Sequence, residues 1–350
     1  MDLSLSSYIV QLGHNPLLWV ITVLIAGVIF VNGLNDSPNS ITTCVATRSL
    51  TPKKALAMAA VCSFLGIFIM SMLNTSVAET VFKIADFGNN THNSLVALCA
   101  TMISIVVWAI LAWKIGIPTS QSHALIAGLI GANIAIVNGW SGINFSLLGK
   151  VLFGLFISTI LGFSIGFFVC KLFEKVCKYM DRRKTVPFFK ITQIIGDAAM
   201  SFMDGAQDGQ KFLAIFILGI CLSNGVANSG SFSIPIWMIL VCSAIVSTGT
   251  CIGGPRIIKN IGMKMVKIES YQGTAADISG FTCLLFSSLT GIPLSSGQTK
   301  TTATMGVSAA KRLSSVDWGI VKNLIVAWLV TFPCCGILGY LLTELFLKIF

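Results

Sequence analysis

The side chains best suited to holding ions in this 350-residue chain fall in two motifs, and each motif occurs twice. Asn32-Gly33-Leu34-Asn35-Asp36 is followed, 83 residues after Asn35, by Pro118 of Gly-Ile-Pro-Thr-Ser-Gln-Ser-His, residues 116–123. Asp204-Gly205-Ala206-Gln207-Asp208 is followed, 86 residues after Gln207, by Pro293 of Gly-Ile-Pro-Leu-Ser-Ser-Gly-Gln, residues 291–298. Proline disfavours helix in the residue before it, and Thr119 or Ser120, like Ser295 or Ser296, suits the N-cap of the apolar run that follows. Each Pro-containing motif therefore opens a helix. A helix start offers free N–H groups and partial positive charge, and adjacent hydroxyls add donors, so two such starts can cradle an oxyanion. Read singly, each is equally a capped helix start with no ligand.

Asp36 and Asp208 add charge. A carboxylate can bind a cation, or accept a hydrogen bond from a protonated anion such as hydrogen phosphate; sulfate at neutral pH has no O–H to give. Asn35, Asn39, Gln207, Thr42 and Thr43 supply the neutral oxygens a sodium ion needs, or serve as packing hydrogen bonds in a helix bundle. His123 reads as a structural donor rather than a proton shuttle, since its counterpart in the second copy is Gln298. Lys211 and Lys300 lie just beyond the second-copy motifs, placed either to balance the charges there or to pair locally. Asp277 requires a basic neighbour or an ion path that the sequence does not identify.

The elements that position these residues are transmembrane helices. Only 10% of the chain is charged, 55% is apolar and the mean hydropathy is +0.86, which excludes an ordinary soluble domain. Charge-poor stretches long enough to cross the bilayer run over 17–47, 55–77, 93–113, 116–138, 147–172, 191–222, 234–252, 272–290, 293–310 and 320–347. Five precede the basic segment and five follow it. An odd number per half requires the second copy to enter the membrane the other way up, an inverted repeat of residues 1–173 and 191–350 about a basic loop, 174–190. Stretch 17–47 would make a helix of roughly 46 Å, longer than the hydrocarbon. Its middle holds Asn32, Gly33, Asn35, Asp36, Pro38 and Asn39. Both this stretch and 191–222, with Asp204, Gly205, Gln207, Asp208 and Gly209 at its centre, are expected to be interrupted there.

The net charge of +10 is mainly a matter of topology. Placing the basic loop in the cytoplasm also puts Arg48, Lys53, Lys54, Arg256, Lys259, Lys264, Lys267, Lys311 and Arg312 on that side, and both termini outside. The expected partner is therefore the lipid bilayer of the plasma (inner) membrane and not nucleic acid. The eleven cysteines have no C-x-x-C pair or metal-ligand spacing and read as small buried apolar residues.

Taken together, Asn32–Thr51, Gly116–Ala132, Asp204–Gly219, Gly291–Lys311 and Trp318–Gly339 resemble the inorganic phosphate transporters of the low-affinity PiT type, a family that includes some sulfate permeases. The resemblance covers essentially the whole chain. It implies an all-α polytopic protein of about 10–12 transmembrane helices built as an inverted repeat, with broken helices or re-entrant hairpins at 116–138 and 293–310. It further implies that Asp36, Ser120, Gln121, Ser122, Asp208, Ser295, Ser296 and Gly297 line the substrate, and that Asn35, Asp36, Asn39, Gln207 and Asp208 hold cations. The second copy departs from the family pattern at Gln207, usually Asn, and at Ser296-Gly297-Gln298, usually two threonines and a histidine.

The expectation is a symporter, not an enzyme. It carries inorganic phosphate with sodium or a proton, by alternating access, with no cofactor and a homodimer as the candidate assembly. The rivals are a sulfate permease of the same fold, a channel, and an integral membrane enzyme acting on phosphorylated lipid. The last lacks a Ser/His/base order, a P-loop and a metal-ligand cluster.

Overall fold

The computed structural model describes residues 3–88, 90–115, 120–225, 234–257, 268–316 and 318–349. Among the sequence expectations, Gly116 to Thr119, Asn89, the loop 226–233 and Lys259, Lys264 and Lys267 fall outside these residues. The described chain is helical. After a short helix α1 (Leu5–His14), α2 (Pro16–Asn35) begins at Asn15, whose side chain accepts from the N–H groups of Leu17 and Leu18. Two short pieces follow, α3 (Ser37–Ser40) and α4 (Thr42–Ala46), then α5 (Pro52–Leu73) and the small α6 (Ser76–Phe82). The first half closes with α7 (Thr91–Ile115), α8 (Gln121–Val137) and α9 (Phe145–Val176). The second half comprises α10 (Arg182–Ser223), α11 (Ile236–Ile257), α12 (Ser270–Thr290), α13 (Ser296–Lys311) and α14 (Trp318–Ile349). Six of these helices are long and apolar enough to cross a membrane. All ten expected stretches carry helix.

The first interruption occurs where the sequence places it. Helix α2 stops at Asn35, Asp36 stands between it and α3, and Ile41 (φ −100°, ψ 4°) separates α3 from α4. The second expected interruption is absent. Helix α10 runs for 42 residues straight through Asp204 to Gly209. No proline lies in its central stretch, and its two glycines sit where a Cβ would overlap the Ser63 backbone (Gly205) or the Ile67 side chain (Gly209) of α5. They permit close helix packing rather than a turn. The basic segment is also drawn into helix, with α9 ending at Val176, α10 starting at Arg182, and Asp181 capping the Arg183 N–H.

Packing recurs between the halves at constant offsets. Gly33 packs on the Val246 backbone as Gly205, 172 positions on, packs on Ser63; Gly249 meets the Phe30 carbonyl as Gly66 meets that of Phe202. Likewise Gly131 meets Gly336 as Gly306 meets Phe163, and Gly339 meets Gly128 as Gly166 meets Ala303. Helix α8 thus lies on α14 of the other half, and α13 lies on α9. The main core gathers Leu18, Ile21, Ile25, Met102, Leu125, Leu129 and Ile215, while Trp19, Val23, Phe153, Phe156, Leu329 and Leu341 remain exposed, as a lipid-facing belt requires. None of the eleven cysteines is in a disulfide.

Candidate functional site

The two Pro-Ser motifs meet. The Ser120 side chain accepts from the His123 N–H to cap α8, and Ser295 caps α13 in the same way through the Gln298 N–H. The Ser120 hydroxyl in turn donates to Ser295 Oγ at 2.9 Å. Two helix starts from opposite halves therefore touch at their caps, both serines buried. Ser122, in the first turn of α8, donates to the Leu294 carbonyl at 3.3 Å. An anion beside these caps faces N–H groups and partial positive charge from both helices.

The repeated spacing also brings the carboxylates in. Asp208 lies on α10 between two partners, the Asn32 Nδ2 donating to its Oδ2 at 3.1 Å and Lys211 Nζ to its Oδ1 at 2.8 Å. Lys211 also donates to Ser122 Oγ at 2.7 Å and to the Leu294 carbonyl, so its ammonium rests on three oxygens and is almost wholly buried. The position 172 residues earlier is Asn39, so only one half carries a fixed cation. Asp36, at the break between α2 and α3, has Asp208, Asp204 and Lys211 as electrostatic neighbours. A Cβ added at Gly297 would lie 3.4 Å from Asn39 Nδ2 and 3.8 Å from Asp36 Oδ1, so the start of α13 abuts that carboxylate. Asn35, Asn39 and Gly297 are partly exposed, whereas Gln121, Ser122, Asp208 and Ser296 are buried.

The sequence-expected residues divide as follows. Asp36, Asp208, Ser120, Ser122, Ser295, Gly297 and Asn39 are linked through the contacts above. Ser296 reaches Asp204 rather than Asp208. Gln207 is hydrogen-bonded within the protein: its Nε2 donates to Ser287 at 2.8 Å and Ser288 at 2.9 Å, and its Oε1 accepts from the Leu294 N–H at 3.4 Å. Asn35 gives its backbone carbonyl to Asn39 Nδ2 at 3.4 Å. Thr42 donates to the Asn39 carbonyl, while Thr43 belongs to a different cluster described below. Gln121 is buried with neither Oε1 nor Nε2 hydrogen-bonded, and Asn32 Oδ1, Asn39 Oδ1, Asp204 Oδ2 and Gln298 Oε1 are likewise unpaired. Each unpaired buried polar atom costs about 1–3 kcal/mol, so their concentration here suits a polar ligand. His123 packs its ring on Phe332 (4.9 Å between centroids), with Nδ1 buried and unpaired.

Three participants escape the sequence reading. Asp204 appeared there only as part of an expected break, and Asp197 not at all. Lys300, undecided from sequence, donates to Asp197 at 3.1 Å and to Asp277, supplying the basic neighbour that Asp277 lacked. The available signal was helical spacing, since Gln193, Asp197, Asp204, Asp208 and Lys211 recur at intervals of three, four or seven on one face of α10.

Comparison with known proteins agrees with this architecture. The chain is 32% identical over 310 residues to a probable low-affinity inorganic phosphate transporter of Bacillus subtilis, covering 89% of this chain and 91% of the relative. A counterpart in Rhizobium meliloti, similarly named, is 35% identical with the same coverage, and one in Mycobacterium tuberculosis H37Rv is 33% identical over 92% of this chain and 76% of the relative. A solved structure described as the sodium-dependent phosphate transporter shares the fold, with a TM-score of 0.85 over 96% of this chain and 100% of its own, at 20% identity. The profile of the phosphate transporter family (PHO4) matches residues 32–184 and 174–339. With nearly the whole described helical bundle under that match, this chain is a multi-pass membrane protein belonging to the phosphate transporter family and not an enzyme.

Proposed function

We propose that the protein is a cation-coupled symporter of inorganic phosphate in the plasma membrane. It works by alternating access between two inverted halves, residues 1–173 and 191–350, with the basic segment 174–190 in the cytoplasm. One observation carries this reading: the capped starts of α8 and α13 meet through Ser120 and Ser295, with Asp36 and Asp208 beside them. The helix starts and Ser120, Gln121, Ser122, Ser295, Ser296 and Gly297 hold the oxyanion; the carboxylates accept the O–H of hydrogen phosphate or bind the co-transported cation. Names among the relatives and the recurring glycine contacts support the substrate and the duplication.

The halves contribute unequally to cation binding. Around Asp208 the Lys211 ammonium already occupies three oxygens, so a cation that binds beside the phosphate in the central site is assigned to Asp36, Asn35 and Asn39. Gln207 and Asp208 serve the site by holding Leu294 and Lys211 in place.

Radiolabelled phosphate and sulfate uptake into proteoliposomes, under sodium or proton gradients, tests the assignment. Phosphate uptake that needs a cation gradient and is greatly reduced by Asp36→Asn and by Asp208→Asn is expected. Uptake of sulfate in preference to phosphate, or uptake indifferent to every gradient, overturns it, and phosphatase turnover without transport overturns it as well.

A further inference from the structure

Halfway between the central site and the basic segment lies a second polar cluster that the phosphate site does not use. Asp197 of α10, Asp277 of α12 and Lys300 of α13 converge with Thr43 of α4. Thr43 donates to Asp197 Oδ1 at 2.8 Å and to Asp277 Oδ1 at 3.1 Å; Lys300 Nζ donates to the same two oxygens. Both aspartates have 0% exposure and Lys300 has 2%. Cys44 faces Asp197 from α4, and Asp204 is the next acid along α10 to sense Lys300.

Two observations separate this cluster from a structural salt bridge. Two carboxylates and one ammonium leave one negative charge without a counter-ion, and the Oδ2 atoms of Asp197 and Asp277 are both buried without a hydrogen bond. The two carboxylates converge, since their Oδ1 atoms share the Thr43 hydroxyl and the Lys300 ammonium. An uncompensated charge in dry protein costs several kcal/mol, so a further positive charge belongs there. Secondly, the fold does not require polarity at this place. At the repeat offsets of 172 and 175, the counterparts of Thr43, Asp197, Asp277 and Lys300 are Ile215, Ile25, Met102 and Leu125, all fully buried in one apolar core.

We propose that the Asp197–Asp277 pair binds a proton on one of its two unpaired Oδ2 atoms, beside the Lys300 ammonium, and that this site loads and releases the coupling proton of the transport cycle. The inference rests on the symport reading and narrows its cation. A proton needs one of the two free oxygens, whereas a metal ion needs several, and the ammonium already occupies the other face. A cavity of about 580 Å³, lined by Thr47, Arg48, Arg182, Lys190 and Glu269, ends at Thr47, which donates to Gln193 Oε1 at 2.8 Å one turn before Asp197, so a proton entering from it has one polar layer, Thr47 and Gln193, left to cross. No covalent bond changes; a proton moves from water to a carboxylate and back.

The test compares net uptake with exchange in proteoliposomes. In Asp277→Asn, and in a variant importing the other half's packing (Thr43→Ile, Asp197→Ile, Asp277→Met, Lys300→Leu), proton-driven phosphate accumulation should fall at least about tenfold while phosphate–phosphate exchange stays within about twofold. The infrared carbonyl band of a protonated carboxylic acid should be present in wild-type protein and weaken in Asp277→Asn. Unchanged accumulation, loss of exchange together with accumulation in folded protein, a sodium-specific defect, or an unaltered infrared band would each overturn the proposal. If wild-type protein moves no phosphate, the symport reading fails separately, and the infrared comparison still decides whether the proton site exists.

Discussion

Helices α2 and α10 occupy repeat-equivalent positions and solve the same packing problem with opposite chemistry. Along α10, Gln193, Asp197, Ser201 and Asp204 lead toward Asp208; the matching residues of α2 are Ile21, Ile25, Ile29 and Asn32, leading toward Asp36. All eight are buried. The backbone contacts match across the two halves at the glycine seams, while the side chains between them differ. One half became a dry plug. The other became a line of polar groups that hold one another, and the site lies where the two meet.

Substitutions across this pair of helices can break the comparison, and the largest effect falls on the central acids. Asp208→Asn should reduce uptake by about 100-fold or more and also lower the melting temperature, because it strands the buried Lys211 ammonium at a cost of about 3–5 kcal/mol. Asp36→Asn, with no such fixed cation partner among the described contacts, should abolish uptake comparably while leaving thermal stability within about 1 kcal/mol. Equal stability losses at the two positions would show that Lys211 does not distinguish the halves.

Ile25→Asp, which copies Asp197 into the apolar half, should destabilise the purified protein by about 3 kcal/mol or more, measured by thermal unfolding in detergent. Tolerance of that acid would mean the α2 side is wet. Gly66→Ala and Gly249→Ala, which press a methyl group onto the Phe202 and Phe30 carbonyls, should each cost about 1–3 kcal/mol, and by similar amounts if the seams are equivalent. The smallest effect concerns the touching caps. Ser120→Ala and Ser295→Ala should each cost about 1 kcal/mol, and the double variant less than their sum because they share one hydrogen bond.

Much of this was legible in the sequence because the bilayer imposes simple rules. Charge-free length located the ten main helices, and the Pro-Ser motifs located the caps that meet. Pro38 and the Asn-Asp pair marked the break after Asn35. The same logic failed at Asp204–Gly209, since glycine beside acid reads alike whether the backbone turns or another helix presses against it, and only the positions of Ser63 and Ile67 decide. The Gln207 amide donates to Ser287 and Ser288, partners about 80 residues away that no local pattern announces. Lys300 and Asp277 were visible as isolated costly charges; their pairing with Asp197 is a property of three-helix geometry.

The unbroken course of α10 bears on how the molecule reorients. At 1.5 Å per residue its 42 residues form a stiff rod of about 63 Å that carries the basic segment at one end and Asp208 near its middle. Such a lever transmits tilt without absorbing it. In the alternating-access reading proposed above, bending falls to the jointed α2–α3–α4 chain opposite, which carries Asp36, while Asp208 stays with the rod.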